Sequence, residues 1–150
     1  MADALGKLYT STAVVTMKAR GKTNGITIAW MTRVSWSPPM VAISVGKTRF
    51  SHELIAESKA FCVCILRKDK AEVAELFGTN SGRTIDKFSH VQYTLSEGGF
   101  PIPEGTIAYM ECEVVEECEA GDHTIFVGKV IREKLLEDAD PLIFGEHTLL

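Results

Sequence analysis

The chain lacks three features that would each assign it to a large class of proteins. No apolar run approaches the roughly 20 residues that a membrane-spanning helix needs. The net charge of -4 is not the basic excess of a general nucleic-acid binder. The N-terminus MADALGKLYT has no basic stretch before an apolar segment and so predicts no signal peptide. These absences favour a cytoplasmic protein that binds neither membranes nor nucleic acid, and 150 residues fit one domain, 1–150.

The four cysteines are few, and they are not spaced as metal ligands. Cys62 and Cys64 form a C-x-C pair, whereas five residues separate Cys112 from Cys118, and neither spacing matches the common structural zinc patterns. We therefore predict free thiols in a reducing compartment and no metal site. On a strand, Cys62 and Cys64 would share one face as small buried residues.

The common nucleotide-binding fingerprints are also missing. The tripeptide Gly46-Lys47-Thr48 resembles the end of a P-loop, but Val41 stands where that loop requires a glycine. No G-x-G-x-x-G pattern occurs, so a Rossmann site is not predicted. No local motif indicates a Ser-His-Asp or Cys-His arrangement, which is expected if a bound cofactor performs the chemistry.

The sequence does contain a series of short β-type runs divided by turn signals. The strand candidates are LYTSTAVVTMKA, TNGITIAW, MVAISVG, AFCVCILR, IAYMECEVVEECEA and HTIFVGKVIREKLLE. The first two predict a hairpin of residues 9–18 and 24–30, joined at Arg20-Gly21. The last two predict a second hairpin around Ala120-Gly121-Asp122.

Two short helices interrupt the strands. One is predicted at 50–58 with Ser51 as its N-cap, and the other at 70–77 with Gly78 as its stop. Pro38-Pro39 excludes a central strand at that point. About six strands and two short helices indicate a small barrel flanked by helices.

Two polar clusters are candidate phosphate sites. The first stands where a helix is predicted to begin and consists of Lys47, Thr48, Arg49, Ser51 and His52. The first amides of a helix lack internal partners, so cations and hydroxyls beside them suit a phosphate monoester. The second cluster consists of Ser81, Gly82, Arg83 and Lys87. Next to the first cluster in space, it would complete a phosphate cradle; the alternative is that both clusters are solvated loops.

The segment 27–37 and a later turn complete the candidate site. Trp30 and Trp36 can pack on a flat, polar-edged ring, or else fill the core or a dimer interface. His123 follows Gly121-Asp122 at a predicted turn, where its ring can donate a proton or a hydrogen bond to a substrate. The alternative for His123 is a structural role at the surface.

Four stretches together resemble the flavin reductase-like proteins that have an FMN-binding split barrel. They are NGITIAWMTRVSWSPPMVAISV, TRFSHELIAESKAFCVCIL, FGTNSGRTIDKF and GDHTIFVGKV, which stand in the family's order and cover about half of the chain. The first pattern matches at Asn24, Thr27, Trp30 and Pro38-Pro39, with Ile26 in place of the usual methionine. The last pattern matches at Gly121, Asp122, His123 and Gly128.

This resemblance implies a mainly β fold, a six-stranded antiparallel Greek-key split barrel with short flanking helices. It also implies a homodimer that binds FMN near the dimer interface. The residues implied to line the flavin are Asn24, Thr27, Ile28, Ala29 and Trp30. Those implied to hold the ribityl phosphate are Lys47, Thr48, Arg49, Ser51, His52, Ser81, Arg83 and Lys87. His123 would lie at the substrate side of the ring as the catalytic candidate.

The activity implied by the resemblance is that of an FMN-dependent oxidoreductase. Electrons would move from NAD(P)H to free flavin, to ferric complexes or to a redox partner, as in flavoredoxin-like and archaeal ferric reductase-like members. The alternatives are an FMN-binding electron carrier or sensor with little turnover, and a related barrel that binds heme. Neither the electron acceptor nor the choice between NADH and NADPH follows from the sequence.

The chain departs from the family pattern in Pro141 to Leu150, PLIFGEHTLL. His147 stands near the position of a usual tyrosine there. The resemblance therefore implies that C-terminal residues which often help to cover the flavin are missing.

Overall fold

Strands dominate residues 3–145 and 148–149, the parts of the chain that the computed structural model describes. The strands are β1 (Thr10–Ser11), β2 (Ala13–Ala19), β3 (Lys22–Ile28), β4 (Met31–Ser35), β5 (Met40–Gly46), β6 (Ala60–Leu66), β7 (Tyr93–Leu95), β8 (Pro101–Pro103), β9 (Thr106–Ala120), β10 (His123–Leu135), β11 (Ile143–Gly145) and β12 (Thr148–Leu149). The α-helices are α1 (Phe50–Ser58) and α2 (Ala71–Thr79), and 3-10 helices cover Leu5–Lys7 and Lys87–Ser89. The departure predicted at His147 lies outside the described residues.

The main sheet has seven antiparallel strands in the order β3-β2-β6-β9-β10-β5-β4. Its two edge strands, β3 and β4, are separated in sequence only by Ala29 and Trp30. A flat sheet would hold these edges about 29 Å apart, at roughly 4.8 Å per strand. The connection spans at most about 11 Å. The sheet must therefore curl until its edges approach each other, which makes a barrel with an open seam.

The mainly β class and the antiparallel split barrel are confirmed, and the strand count differs by one. The extra strand is β4, which pairs with β5 before the chain reaches Pro38-Pro39. No strand runs through Pro38-Pro39, as predicted, but residues 31–35 before them add a strand to the sheet edge. Small sheets of β1-β11-β12 and β7-β8 accompany the barrel.

Both predicted hairpins are present. The first joins β2 to β3 at Arg20 and Gly21, whose positive φ angles of 56° and 73° are those of a tight hairpin turn. The second joins β9 to β10 at Gly121-Asp122, and β10 begins at His123. Because β10 also pairs with β5, this hairpin brings His123 opposite Gly46. The turn is thereby placed beside the segment that leads into α1.

The two helices cover opposite faces of β2, which is buried on both sides. Leu54 and Ile55 of α1 pack in the cluster that includes Val15 and Met17. Val73 and Phe77 of α2 pack in the cluster that includes Val14, which points to the other face. Each helix thus closes one side of the same strand, and α2 is held over the outer face of the barrel beside β3.

The predicted helix ends need two corrections. Helix α1 has the predicted bounds, but Arg49 occupies the N-cap position and Ser51 lies inside the helix. Helix α2 runs through Gly78 to Thr79. A Cβ at Gly78 would lie 3.3 Å from the Thr27 Cβ, so this glycine permits close packing and does not terminate the helix.

The cysteines are free thiols, as predicted. Cys62 and Cys64 lie on one face of β6 under Phe100 and Ile102, with their sulfurs 4.0 Å apart. The hydrogen bond between these two thiols, together with burial, raises the pKa of Cys62. Burial raises the pKa of Cys112 to about 12. Among the described residues, no cluster of three His, Cys, Asp or Glu side chains is arranged to hold a metal ion. No helix in these ranges is long and apolar enough to span a membrane.

These environments predict selective thiol chemistry. The thiolate is the reactive form, so at about pH 8 the buried thiols should remain protonated and unreactive. We expect Ellman's reagent to modify only the exposed Cys118 rapidly in the native protein, and the three buried cysteines only on unfolding. The variant Cys118→Ser should lose the rapid phase. A second rapid equivalent in the native protein would contradict the buried placement.

Candidate functional site

A cleft of about 760 Å³ opens where β3, β5, α2 and the β9–β10 turn converge. Seven of the residues predicted for the site line it: Thr27, Ile28, Ala29, Trp30, Thr48, Arg49 and His123. The opposite wall is the C-terminal half of α2, through Ala74, Glu75, Gly78 and Thr79. The cleft therefore combines an apolar strand wall with a polar end formed by the segment before α1.

A smaller pocket of about 250 Å³ lies at that polar end. It shares Thr48, Arg49 and Thr79 with the cleft and is completed by Phe50, Asn80, Ser81 and Arg83. The two polar clusters of the sequence, which are about thirty residues apart along the chain, thus meet in space. Two guanidinium groups with neighbouring hydroxyl and amide groups suit a phosphate monoester.

Arg83 is held in place at the rim of this pocket. Its guanidinium pairs with the Glu53 carboxylate and donates a hydrogen bond to the Thr48 carbonyl at 3.2 Å. It also lies over the Phe50 ring, 5.3 Å from the centroid. Glu53 neutralises part of the positive charge, so an arriving anion must share Arg83 with a carboxylate already bound to it.

Five of the predicted cofactor residues do not line either pocket within the described ranges. Lys47 turns outward and pairs with Glu119 at 3.3 Å. Ser51 and Asn24 are buried and bonded to each other, with Asn24 Nδ2 donating to Ser51 Oγ at 2.9 Å. The His52 Nε2 lies 2.8 Å from Thr124 Oγ1. The helical path of α1 directs Ser51 and His52 towards the barrel. Asn24 on β3 is in turn occupied by its hydrogen bond to Ser51.

Lys87 is the fifth, and its placement corrects the predicted phosphate contact. Only 2% of this residue is exposed. Its ammonium donates hydrogen bonds to the carbonyl oxygens of Gly25 at 2.7 Å and Phe77 at 3.1 Å. Burial, with a further contribution from the charge of Arg49, lowers the pKa of Lys87 to about 8. The ammonium thus lies beneath the cleft wall, bonded to the backbone.

His123 and Trp30 form one side of the cleft mouth. Their ring centroids are 4.9 Å apart with an interplanar angle of 42°. The His123 Nδ1 lies 2.7 Å from Asp122 Oδ1, and this hydrogen bond lowers the pKa of Asp122. Because a carboxylate only accepts, Nδ1 is the donor, which leaves Nε2 available to a ligand. Trp36 does not contribute here, since it is 82% exposed and stacks with Arg33, whose guanidinium lies 4.0 Å from its ring.

Thr12 is a site residue that the sequence did not indicate. It lines the cleft and is fully buried, and its hydroxyl has no hydrogen-bond partner among the described residues. Buried polar groups are normally paired, and the buried hydroxyls of Thr10 and Thr16 are unpaired in the same way. No local pattern marks Thr12, because it lies among the apolar residues of the first predicted strand. The apolar wall and the cationic end together fit a flavin that carries a phosphate.

An apolar groove of about 650 Å³ adjoins the cleft on the other side of Trp30. Trp30, Ser44 and Phe144 line both. The groove also has the exposed side chains of Leu8 and Tyr9 from the N-terminal segment. Trp30 therefore separates a polar-ended cleft from an apolar surface.

An antiparallel split barrel whose cleft ends in a phosphate-sized cationic pocket defines a class of flavin-binding oxidoreductases. The flavin reductase like domain matches residues 5–149. The chain belongs to this family and is an oxidoreductase of that class.

Its similarity to individual proteins extends over nearly the whole chain. It is 34% identical over 143 residues to the FMN reductase (NADH) SmoA of Agrobacterium fabrum, covering 95% of this chain and 79% of that protein. It is 32% identical over 146 residues to the high molecular weight rubredoxin of Moorella thermoacetica, covering 96% of this chain but only 64% of that protein. The solved NADH:FAD oxidoreductase SgcE6 of Streptomyces globisporus superposes with a TM-score of 0.90 at 31% identity, covering 97% of this chain and 87% of the other.

Proposed function

We propose that this protein is an FMN-dependent reductase that takes a hydride from NAD(P)H and passes electrons to free flavin, a ferric complex or a redox partner. The observation that carries the proposal is the meeting of Thr48, Arg49, Ser81 and Arg83 at one end of the cleft. Bound flavin would supply the redox chemistry, accepting two electrons with a hydride and releasing them to an acceptor. The protein would bind, orient and shield it.

The residues of the cleft have separate roles in this proposal. Arg49 and Arg83 hold the phosphate, and the strand wall of Thr27 to Trp30 supports the ring. The compact pocket of about 250 Å³ supports FMN as the resident cofactor. Related proteins carry names that refer to FMN and to FAD, so the identity of the flavin is itself tested below.

The colour and reducibility of the purified protein test the proposal. We expect a yellow protein, or one that becomes yellow on reconstitution, and heat release of stoichiometric FMN identified by chromatography. Under anaerobic conditions NADH or NADPH should bleach it, and repeated turnover with free flavin or a ferric complex should follow. Bleaching without turnover would instead indicate an electron carrier. Failure to bind any flavin after reconstitution would overturn the proposal, and stoichiometric FAD would overturn the choice of FMN.

Arg83→Ala tests the phosphate end of the cleft. Charge-assisted hydrogen bonds contribute roughly 1.5–3 kcal/mol. We expect a loss of FMN affinity at the lower end of this range, about tenfold, because Glu53 already neutralises part of the charge of Arg83. Riboflavin affinity should hardly change, because riboflavin lacks the phosphate. Titration by flavin fluorescence measures both. Lys47→Ala is the matched control, since Lys47 lies outside both pockets; equal losses for FMN and riboflavin in Arg83→Ala would contradict the assignment.

His123→Ala tests the mouth of the cleft. In this proposal His123 orients the hydride donor over the ring, and loss of orientation acts mainly on rate. Stopped-flow reduction by NAD(P)H should slow by roughly ten- to a hundredfold while FMN affinity stays nearly constant. His90→Ala, an exposed histidine outside the cleft, should reduce at the wild-type rate. If His123→Ala also reduces at that rate, the residue has only a structural role.

We also propose that the protein is a homodimer joined over the apolar groove. Exposed apolar residues cluster there, and patches of this kind usually mark an interface. Light scattering at low micromolar concentration should give a dimer mass, and Leu8→Glu should shift it towards the monomer. Leu95→Glu is the control, because Leu95 on β7 is similarly exposed (66% against 69%) but lies outside the groove. A wild-type monomer with flavin bound would contradict the proposal.

A further inference from the structure

The C-terminal half of α2 forms one wall of the cleft, and several of its backbone carbonyls accept hydrogen bonds from side chains. The last carbonyls of a helix lack intrahelical partners and carry the negative end of the helix dipole. Here three side chains from separate parts of the chain reach this half of the helix, two of them at carbonyls of the last turn and Thr27 at a carbonyl one turn earlier. Thr27 Oγ1 donates to the Ala74 carbonyl at 2.5 Å, Lys87 Nζ to that of Phe77 at 3.1 Å, and Arg49 Nη2 to that of Gly78 at 3.5 Å.

Lys87 differs from the other two donors because its one ammonium bonds to the backbone of both walls of the cleft. Its ammonium also donates to the Gly25 carbonyl at 2.7 Å, and Gly25 precedes the strand residues that line the cleft. The close approach depends on Gly25 having no side chain, since a Cβ there would lie 2.9 Å from the Phe77 ring. One cation therefore bridges β3 and α2 through two backbone oxygens.

The burial of this ammonium makes the bridge a specific feature of the structure. A buried charge is costly unless polar groups replace its water. In the described residues no carboxylate lies within ion-pair distance of Lys87, so carbonyl oxygens provide that replacement. The neighbouring cation Arg49 raises the cost further. The two hydrogen bonds to carbonyls on β3 and α2 are what this lysine supplies and an apolar side chain of similar length would not.

We propose that Lys87 is a positioning residue for the flavin cleft: its ammonium holds the last turn of α2 against β3 and thereby sets the width of the cleft. Lys87 itself lines neither the cleft nor the pocket at its polar end. The proposal rests on flavin binding as the proposed function. It also differs from a direct phosphate contact, because a change in the width of the cleft affects every flavin, with or without a phosphate.

Lys87→Met in the full chain tests the proposal, because methionine keeps most of the side-chain volume and removes the charge and the donors. We expect the affinities for FMN and riboflavin to fall by the same factor, about tenfold or more. Arg83→Ala should weaken FMN alone, and Lys129→Met, which changes an exposed lysine on β10, should weaken neither. A loss confined to FMN would mean direct phosphate binding and would overturn the proposal, as would unchanged affinities.

A second measurement needs no flavin and separates this proposal from the function on which it rests. In flavin-free protein, amide hydrogen exchange in the segment 77–82 should be faster in Lys87→Met than in wild type, while exchange in α1 stays the same. Gly25→Ala should increase exchange in the same segment, because its Cβ would push Phe77 away while Lys87 remains. Unchanged exchange in Lys87→Met would overturn the proposal. A wild-type protein that binds no flavin would overturn the proposed function. The hydrogen-exchange comparison would then still decide whether Lys87 holds the last turn of α2 against β3.

Discussion

The close contact between α2 and β3 is the constraint on which the cleft depends. Two glycines permit it: Gly25 lies against the Phe77 ring, and Gly78 lies against Thr27. Because neither carries a side chain, the last turn of the helix rests directly on the strand, and the Thr27 hydroxyl reaches the Ala74 carbonyl. The cleft is the space that this contact leaves open towards the segment before α1. A bulkier residue at either glycine would separate the walls.

Burial divides the basic residues around the cleft into two groups with different chemistry. Lys87 is removed from water, and its ammonium donates hydrogen bonds to backbone carbonyls of the protein. Arg83 remains partly exposed and pairs with Glu53, an interaction that an arriving phosphate can share. Arg49 lies between these extremes, in contact with the Gly78 carbonyl and with both pockets. Charge alone does not distinguish the three in the sequence, because each stands in a polar, turn-rich segment.

The features that the sequence predicted well depend on neighbouring residues. The turn at Arg20-Gly21 and the one at Gly121-Asp122 select hairpins through backbone conformation, and both are present. Helix α1 has the predicted bounds. The two polar clusters were also recognisable as candidates, because cations and hydroxyls before a helix have a local physical meaning. From the sequence, the proximity of Thr48 and Ser81 was only a hypothesis. In the fold, both residues line the same pocket.

The sequence by itself determined a mainly β barrel with two short helices, its hairpins, and the family to which the chain belongs, because alternation, turn residues and ordered motifs are encoded locally. Only the tertiary structure decided that Ser51 faces Asn24, that Thr12 is left with an unpaired hydroxyl, and that Lys87 lies under the cleft wall. Each of these depends on which distant segment packs against the residue. Side-chain burial and hydrogen bonding are set by such contacts, and these form only when the seven-stranded sheet closes and α2 packs on β3.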